Sequence, residues 1–218
     1  MLLLGHRGAP RHARENTLAA FEAALAHGCN GFEFDVRLTA DRRLAICHDS
    51  TQAGVTIASS TYAAVAPRMA PQLLELETVL QTFSPRCYLN IELKVAGTEA
   101  LTCELLRLFP PQHGVLVSSF LPEVLQELRR LDRDLPLGFI TKRSEHVRAW
   151  RELPVQALVA HHQLVTPALS NEVHAAGCQL FVWTVNDAPT MSRLAALGAD
   201  ALISDDTQLL VETLGPGR

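Results

Sequence analysis

Apolar and polar positions follow two rhythms along this chain. Short, nearly continuous apolar runs stand at Leu2–Gly5, Phe32–Val36, Tyr88–Glu92, Gly114–Ser118, Leu137–Ile140, Ala157–Ala160, Leu180–Trp183 and Ala201–Ser204. Runs of four or five such residues between turn residues suit strands buried on both faces, as parallel strands are. Between them, apolar residues recur at three- or four-residue intervals, the period of an amphipathic helix. The first helix has Asn16 or Thr17 as its N-cap, carries Leu18, Phe21 and Leu25 on one face and stops at Gly28; Gly177 and Gly198 end later helices just before a strand. Further helical patterns run over Leu73–Phe83, Ala100–Phe109, Pro122–Leu131, Val147–Leu153, Pro167–Ala176, Pro189–Leu197 and beyond Asp205. Eight strands with helices between them predict a (β/α)8 barrel of the TIM type, with a doubly wound open sheet as the competing architecture.

The chain has 218 residues, lean for a barrel of about 250, so a single domain over 1–218 with short loops is expected. One more strand, Leu44–Cys47, follows Phe32–Val36 too closely for a helix to intervene, so LTADRR reads as a hairpin turn. A fold back around Ala40 and Asp41 sets Glu33 roughly opposite His48, while Glu33 and Asp35, two positions apart, share a face. The small-residue segment at 51–70 has weak periodicity and reads as a short insertion, a loop or irregular excursion.

Composition narrows the partners. A net charge of −4 and a pI near 6.1 leave no excess of basic charge for nucleic acid or an anionic membrane, so a small-molecule ligand is expected. Five widely spaced cysteines read as reduced thiols rather than a disulfide framework, which suits the cytoplasm. Met1 leads within five residues into the His6 motif, and no apolar run approaches bilayer length, so neither a signal peptide nor membrane insertion is expected. The pattern specifies no oligomeric state.

The candidate chemistry lies in the first 94 residues: His6, Glu33, Asp35, His48 and Glu92, in or beside apolar strands. Phe32, Phe34 and Val36 take one face of their strand, so Glu33 and Asp35 either meet solvent or line the barrel. In the second case, two carboxylates about 4 Å apart repel by roughly 4 kcal/mol at an effective dielectric of about 20. A divalent cation relieves that repulsion. An all-oxygen set favours a hard ion, Mg²⁺ or Ca²⁺ with Mn²⁺ also admissible, over Zn²⁺. Two histidines beside such an ion suit a general acid and a general base. Arg7 and Gly8 after His6 suit an anion site, because Arg binds phosphate bidentately and Gly allows close backbone approach. Lys94 and Trp183 have ordinary readings as a solvated strand-end lysine and a core residue, and Glu15 as a partner of a helix dipole. His161 and His162 read as loop residues or as site lining.

Taken together, HRGAP, ENTLAAFEAAL, FEFDVRLTAD, HD, IELK, VSSFLPEVLQELR, FVWTVND and GADALISDD stand in an order that resembles the glycerophosphodiester phosphodiesterase family, within the phospholipase C-like phosphodiesterases. The resemblance runs nearly end to end and implies a (β/α)8 barrel, one divalent cation, and hydrolysis of glycerophosphodiesters to glycerol 3-phosphate and an alcohol. It implies His6 and His48 as general acid and base, and Glu33, Asp35 and Glu92 as metal ligands. Arg7 and Lys94 would hold the phosphate, Glu15 would sit in the site, and Phe120 and Trp183 would wall the glycerol. It also implies attack on phosphorus by a glycerol hydroxyl, giving a cyclic intermediate that water opens. After His48 the chain departs from the family: STQAGVTIASSTYAAVAPRMAPQLLELETVL lacks the usual Thr-Leu-x-Arg-Thr-Thr run and is short, so a more open site for the leaving alcohol is expected. Two other readings use the same residues: the same chemistry on a lysophospholipid or sugar phosphodiester, and a barrel that binds phosphate esters without turnover.

Overall fold

The structure is a computed structural model that describes residues 1–69, 71 and 73–215. Eight strands form a closed parallel barrel: β1 (Leu2–Gly5), β2 (Gly31–Leu38), β3 (Tyr88–Leu93), β4 (Val115–Ser119), β5 (Leu137–Thr141), β6 (Ala157–His161), β7 (Gln179–Trp183) and β8 (Ala201–Ser204). β1 pairs with both β8 and β2, which closes the ring and rules out the open sheet. All eight expected strands are present, with ends shifted by at most two residues.

The helices are α1 (Leu18–His27), α2 (Leu76–Phe83), α3 (Glu99–Leu108), α4 (Pro122–Leu131), α5 (Pro167–Ala175), α6 (Ala188–Ala196) and α7 (Thr207–Leu214). Thr17 caps α1 by accepting from the Ala20 N–H, and Gly28 ends it at φ 101°, a left-handed conformation that suits glycine. None of the described helices is long and apolar enough to cross a membrane.

Strand alternation divides the core in two. Phe32, Phe34 and Val36 face the helices, where Phe21 of α1 stacks on Phe32 at 4.2 Å and Phe83 of α2 meets Phe32 edge-on at 5.0 Å. Leu4, Leu116, Ile140, Val159, Phe181 and Ile203 fill the barrel interior. One side of each strand thus belongs to the outer layer and the other to the lumen, so Glu33 and Asp35, alternating with Phe32 and Phe34, enter the lumen.

Three local expectations need correction. The stretch at 147–153 forms one 3₁₀ turn, Ala149–Glu152, instead of a helix, and a second, Ser144–His146, precedes it. Pro154 restricts the residue before it, and burial of Trp150 fastens the connection without a longer helix. The hairpin strand is Leu44–Ile46, and its pairing of Val36 with Ile46 is one residue off the expected register. Thr39 sets that register: its N–H donates to the Arg43 carbonyl and its hydroxyl accepts from the Arg43 N–H, centring the turn on Asp41. The first two residues of the expected helix from Leu73 that enter regular structure, Leu74 and Glu75, instead extend the sheet by pairing with Ile46 and Ala45.

The segment at 51–70, whose last residue lies outside the described set, contains a two-residue hairpin (Thr51–Gln52 with Val55–Thr56), a helical turn at Tyr62–Val65 and two 3₁₀ turns. Ile57, Val65 and Ala66 bury a small cluster against Ala45, Cys47 and Leu73, so it packs on the hairpin strand. Of the five thiols, four are buried and Cys178 is half-buried; all are free.

Candidate active site

The C-terminal ends of β1, β2, β3, β7 and β8 converge on one mouth of the barrel. In parallel register Glu33 stands beside Asn90, and Asp35 beside Glu92. This brings one carboxylate oxygen from each of Glu33, Asp35 and Glu92 within 4.8 Å of one another, all three residues buried. The trio read from sequence is one cluster.

Their electrostatics differ because their neighbours differ. Burial, then the charge of Asp35, pushes the Glu33 carboxyl up to about 8. Burial and Asp35 push Glu92 up as well, against the pull of Lys94. Burial works against ionised Asp35 too, but Lys94, Arg7 and the Asn16 amide outweigh it and hold Asp35 below the usual range. Asn16 Nδ2 donates to Asp35 Oδ2 at 2.9 Å, and Lys94 Nζ lies 2.5 Å from Glu92 Oε1 and 3.4 Å from Asp35 Oδ1. Glu33 Oε1 is buried without a hydrogen-bond partner among the described residues. An orphaned acceptor within an all-oxygen trio fits a hard divalent cation.

His6 follows β1 directly. Its Nδ1 donates to Asp205 Oδ1 at 2.7 Å, leaving Nε2 facing Glu33 Oε2 at 3.9 Å. Burial works to lower the imidazole pKa, yet the Asp205 hydrogen bond and the Glu33 charge outweigh it, and the pKa is raised. Asp205 is itself fixed by Asn186, which donates from Nδ2 to Asp205 Oδ2 at 2.7 Å and accepts the Asp205 N–H at 2.9 Å. Neither Asp205 nor Asn186 was assigned a role from sequence. Their signal was the polar residue after a strand in FVWTVND and GADALISDD, visible only once those ends are known to share a mouth.

Arg7 has φ 53° and Gly8 φ 87°, so the chain turns sharply where it leaves the barrel. A Cβ on Gly8 would lie 2.6 Å from the Ala20 backbone, so the turn needs glycine. The turn directs the Arg7 N–H to Glu33 Oε2 at 3.0 Å and its guanidinium to both oxygens of Glu15, at 2.9 and 3.1 Å. Arg7 Nε lies 3.3 Å from Asp35. Glu15 is therefore a partner of Arg7 at the rim.

His48 stands beyond the hairpin strand, out of line with Glu33. Arg37 Nε donates to its carbonyl at 2.7 Å, and its Nδ1 pairs with Asp49 Oδ1 at 2.8 Å. It lines a cleft with Glu15, Asn16, Gln52 and Met69 between the α1 entry and the 51–70 segment. Asn16, which donates to Asp35, lines the same cleft, so His48 lies near the trio.

The far wall is aromatic. Phe120 meets Trp183 edge-on at 5.7 Å, His161 meets Trp183 from another side at 5.5 Å, and Lys94 Nζ lies over the Phe120 ring at 5.8 Å. His161 thus belongs to the wall; the His162 ring meets it at a tilt, 4.4 Å between centroids. Below the rim, a small cavity is lined by His6, Glu33, Asn90, Glu92 and Trp183, with Ile140, Val159 and Ile203 as its floor.

A closed (β/α)8 barrel whose mouth pairs buried acids with a carboxylate-held histidine and two cations defines the class: a barrel enzyme built for an anionic ester. The particular family follows from comparison with known proteins. Residues 6–209 match the model of the glycerophosphoryl diester phosphodiesterase family, and the chain belongs to that family of phosphoric diester hydrolases. It is 27% identical to the glycerophosphodiester phosphodiesterase of Caldanaerobacter subterraneus subsp. tengcongensis, over 99% of this chain and 98% of that protein. It is 29% identical to the glycerophosphodiester phosphodiesterase of Bacillus altitudinis, over 93% of this chain and 94% of that one. Among solved structures, an Oleispira antarctica phosphodiesterase in complex with the product sn-glycerol-3-phosphate superposes with a TM-score of 0.85 at 24% identity, covering 98% of this chain and 96% of that one.

Proposed function

We propose that this mouth hydrolyses glycerophosphodiesters to glycerol 3-phosphate and an alcohol with one divalent cation. The observation that carries the reading is the buried Glu33, Asp35 and Glu92 trio, within 4.8 Å, with His6 Nε2 3.9 Å from Glu33 and His48 in the cleft lined by Asn16. The trio would hold Mg²⁺, Ca²⁺ or Mn²⁺, which supplies Lewis-acid polarisation of the phosphoryl group when bound.

Arg7 and Lys94 would neutralise the phosphoryl oxygens, Arg7 presenting a guanidinium already fixed by Glu15. His6 suits the general base, because Asp205 keeps the proton on Nδ1 and Nε2 open toward the lumen. His48, more exposed and set beside the 51–70 segment, suits the acid that protonates the departing alcohol. Phe120 and Trp183 would exclude water from one side of the glycerol. The leaving alcohol would then exit on the His48 side, where the short segment leaves room for different headgroups.

The test is release of glycerol 3-phosphate from glycerophosphocholine and glycerophosphoethanolamine after chelation, with Mg²⁺, Ca²⁺ and Mn²⁺ restored one at a time. Turnover restored by one ion supports the reading and selects the ion. Absence of turnover with all three, alongside turnover of a lysophospholipid or a sugar phosphodiester, would reassign the substrate; ligand binding with no turnover of any ester would make the barrel a binding protein.

A further inference from the structure

Asn90 is a polar side chain whose surroundings do not account for it. It is 1% exposed, inside the barrel, and its Oδ1 accepts from the Ser118 hydroxyl at 2.8 Å. In that orientation Nδ2 is buried with no partner among the described residues. An unpaired buried donor costs about 1–3 kcal/mol, so such a group is expected to serve a ligand. The amide lines the small cavity with His6, Glu33 and Glu92.

The cavity's chemistry indicates what the amide meets. Neither Arg7 nor Lys94 lines it, so the side chains that would hold the phosphoryl oxygens stand outside this cavity. An alcohol suits it: a hydroxyl oxygen can accept from Asn90 Nδ2 while its proton goes to a neighbouring carboxylate or to His6. The cavity has room for little more than such a hydroxyl, with Trp183 and the apolar floor against its carbon. We infer that Asn90 is a specificity-determining residue that donates a hydrogen bond to a hydroxyl of the glycerol moiety, reading the glycerol side of the ester and not its headgroup. This rests on the glycerophosphodiester reading and deepens it.

The experiment deletes each partner in turn. Binding of sn-glycerol 3-phosphate and of propyl phosphate, which keeps the phosphate and carbon chain but has no hydroxyl, is measured by calorimetry in Mg²⁺ for wild type, Asn90→Leu and Asn90→Ala. The alanine variant serves if the leucine variant does not fold. Wild type should prefer glycerol 3-phosphate by about tenfold or more, the scale of one buried hydrogen bond, and the variants should reduce that preference to about twofold. An unchanged preference in a folded variant would overturn the role of Asn90 and leave the proposed function standing. Wild type that binds propyl phosphate as tightly as glycerol 3-phosphate would overturn the glycerol reading itself.

Discussion

His6 and Asp205, 199 positions apart in sequence, are joined by a 2.7 Å hydrogen bond across the seam where β8 returns to β1. The bond fixes the tautomer of His6 and contributes to its raised pKa. Asp205→Asn should therefore lower the His6 pKa, move the corresponding limb of the pH–rate profile to lower pH, and reduce kcat by about two orders of magnitude. A profile that keeps its limbs while kcat falls would separate Asp205 from the ionisation of His6.

His6→Ala and His48→Ala should each reduce kcat by about 10²- to 10⁴-fold with little change in thermal stability, because each removes one proton-transfer group from a mouth built by other residues. Steady-state rates read beside melting curves check this. Near-wild-type turnover in either variant would remove that histidine from the mechanism.

Glu33 ties stability to pH and metal. Its carboxyl titrates at its ordinary value of 4.5 in the unfolded chain and near 8 in the fold, so the protonated form is the one the fold favours. Its contribution is fully present below about pH 4.5 and is lost as pH rises through about 8, a change on the order of a few kcal/mol. Metal-free protein should thus melt at lower temperature at pH 9 than at pH 6, and a divalent cation should recover the difference. Glu33→Gln, neutral and of the same shape, should flatten the dependence and abolish the recovery. Melting of chelated protein with the same pH slope in both forms would place the effect elsewhere.

Gly8→Ala should be among the most damaging single-methyl additions. The new Cβ would meet the Ala20 backbone at 2.6 Å in a left-handed conformation, costing about 2 kcal/mol or more and displacing Arg7 from Glu15 and Asp35. Denaturant unfolding and the KM for a glycerophosphodiester check the two effects; a KM near wild type would separate the turn from phosphate binding.

Periodicity alone specified the strands and most helices, since a strand buried on both faces and a helix buried along one stripe leave different spacings of apolar residues. The motifs singled out Glu33, Asp35 and Glu92, because acids among apolar strand residues stand out in a linear text. Tertiary structure decided which side of β2 enters the lumen, since alternation is symmetric until the Phe32 and Phe34 rings meet α1 and α2. It also set the hairpin register, fixed by Thr39 and Arg43, and with it the place of His48. The pairing of His6 with Asp205 and the isolation of the Asn90 amide were not legible in the chain. Both arise when barrel closure brings sequence-distant strand ends into one low-dielectric mouth, and hydrogen bonds and charge there depend on distances that residue order does not encode.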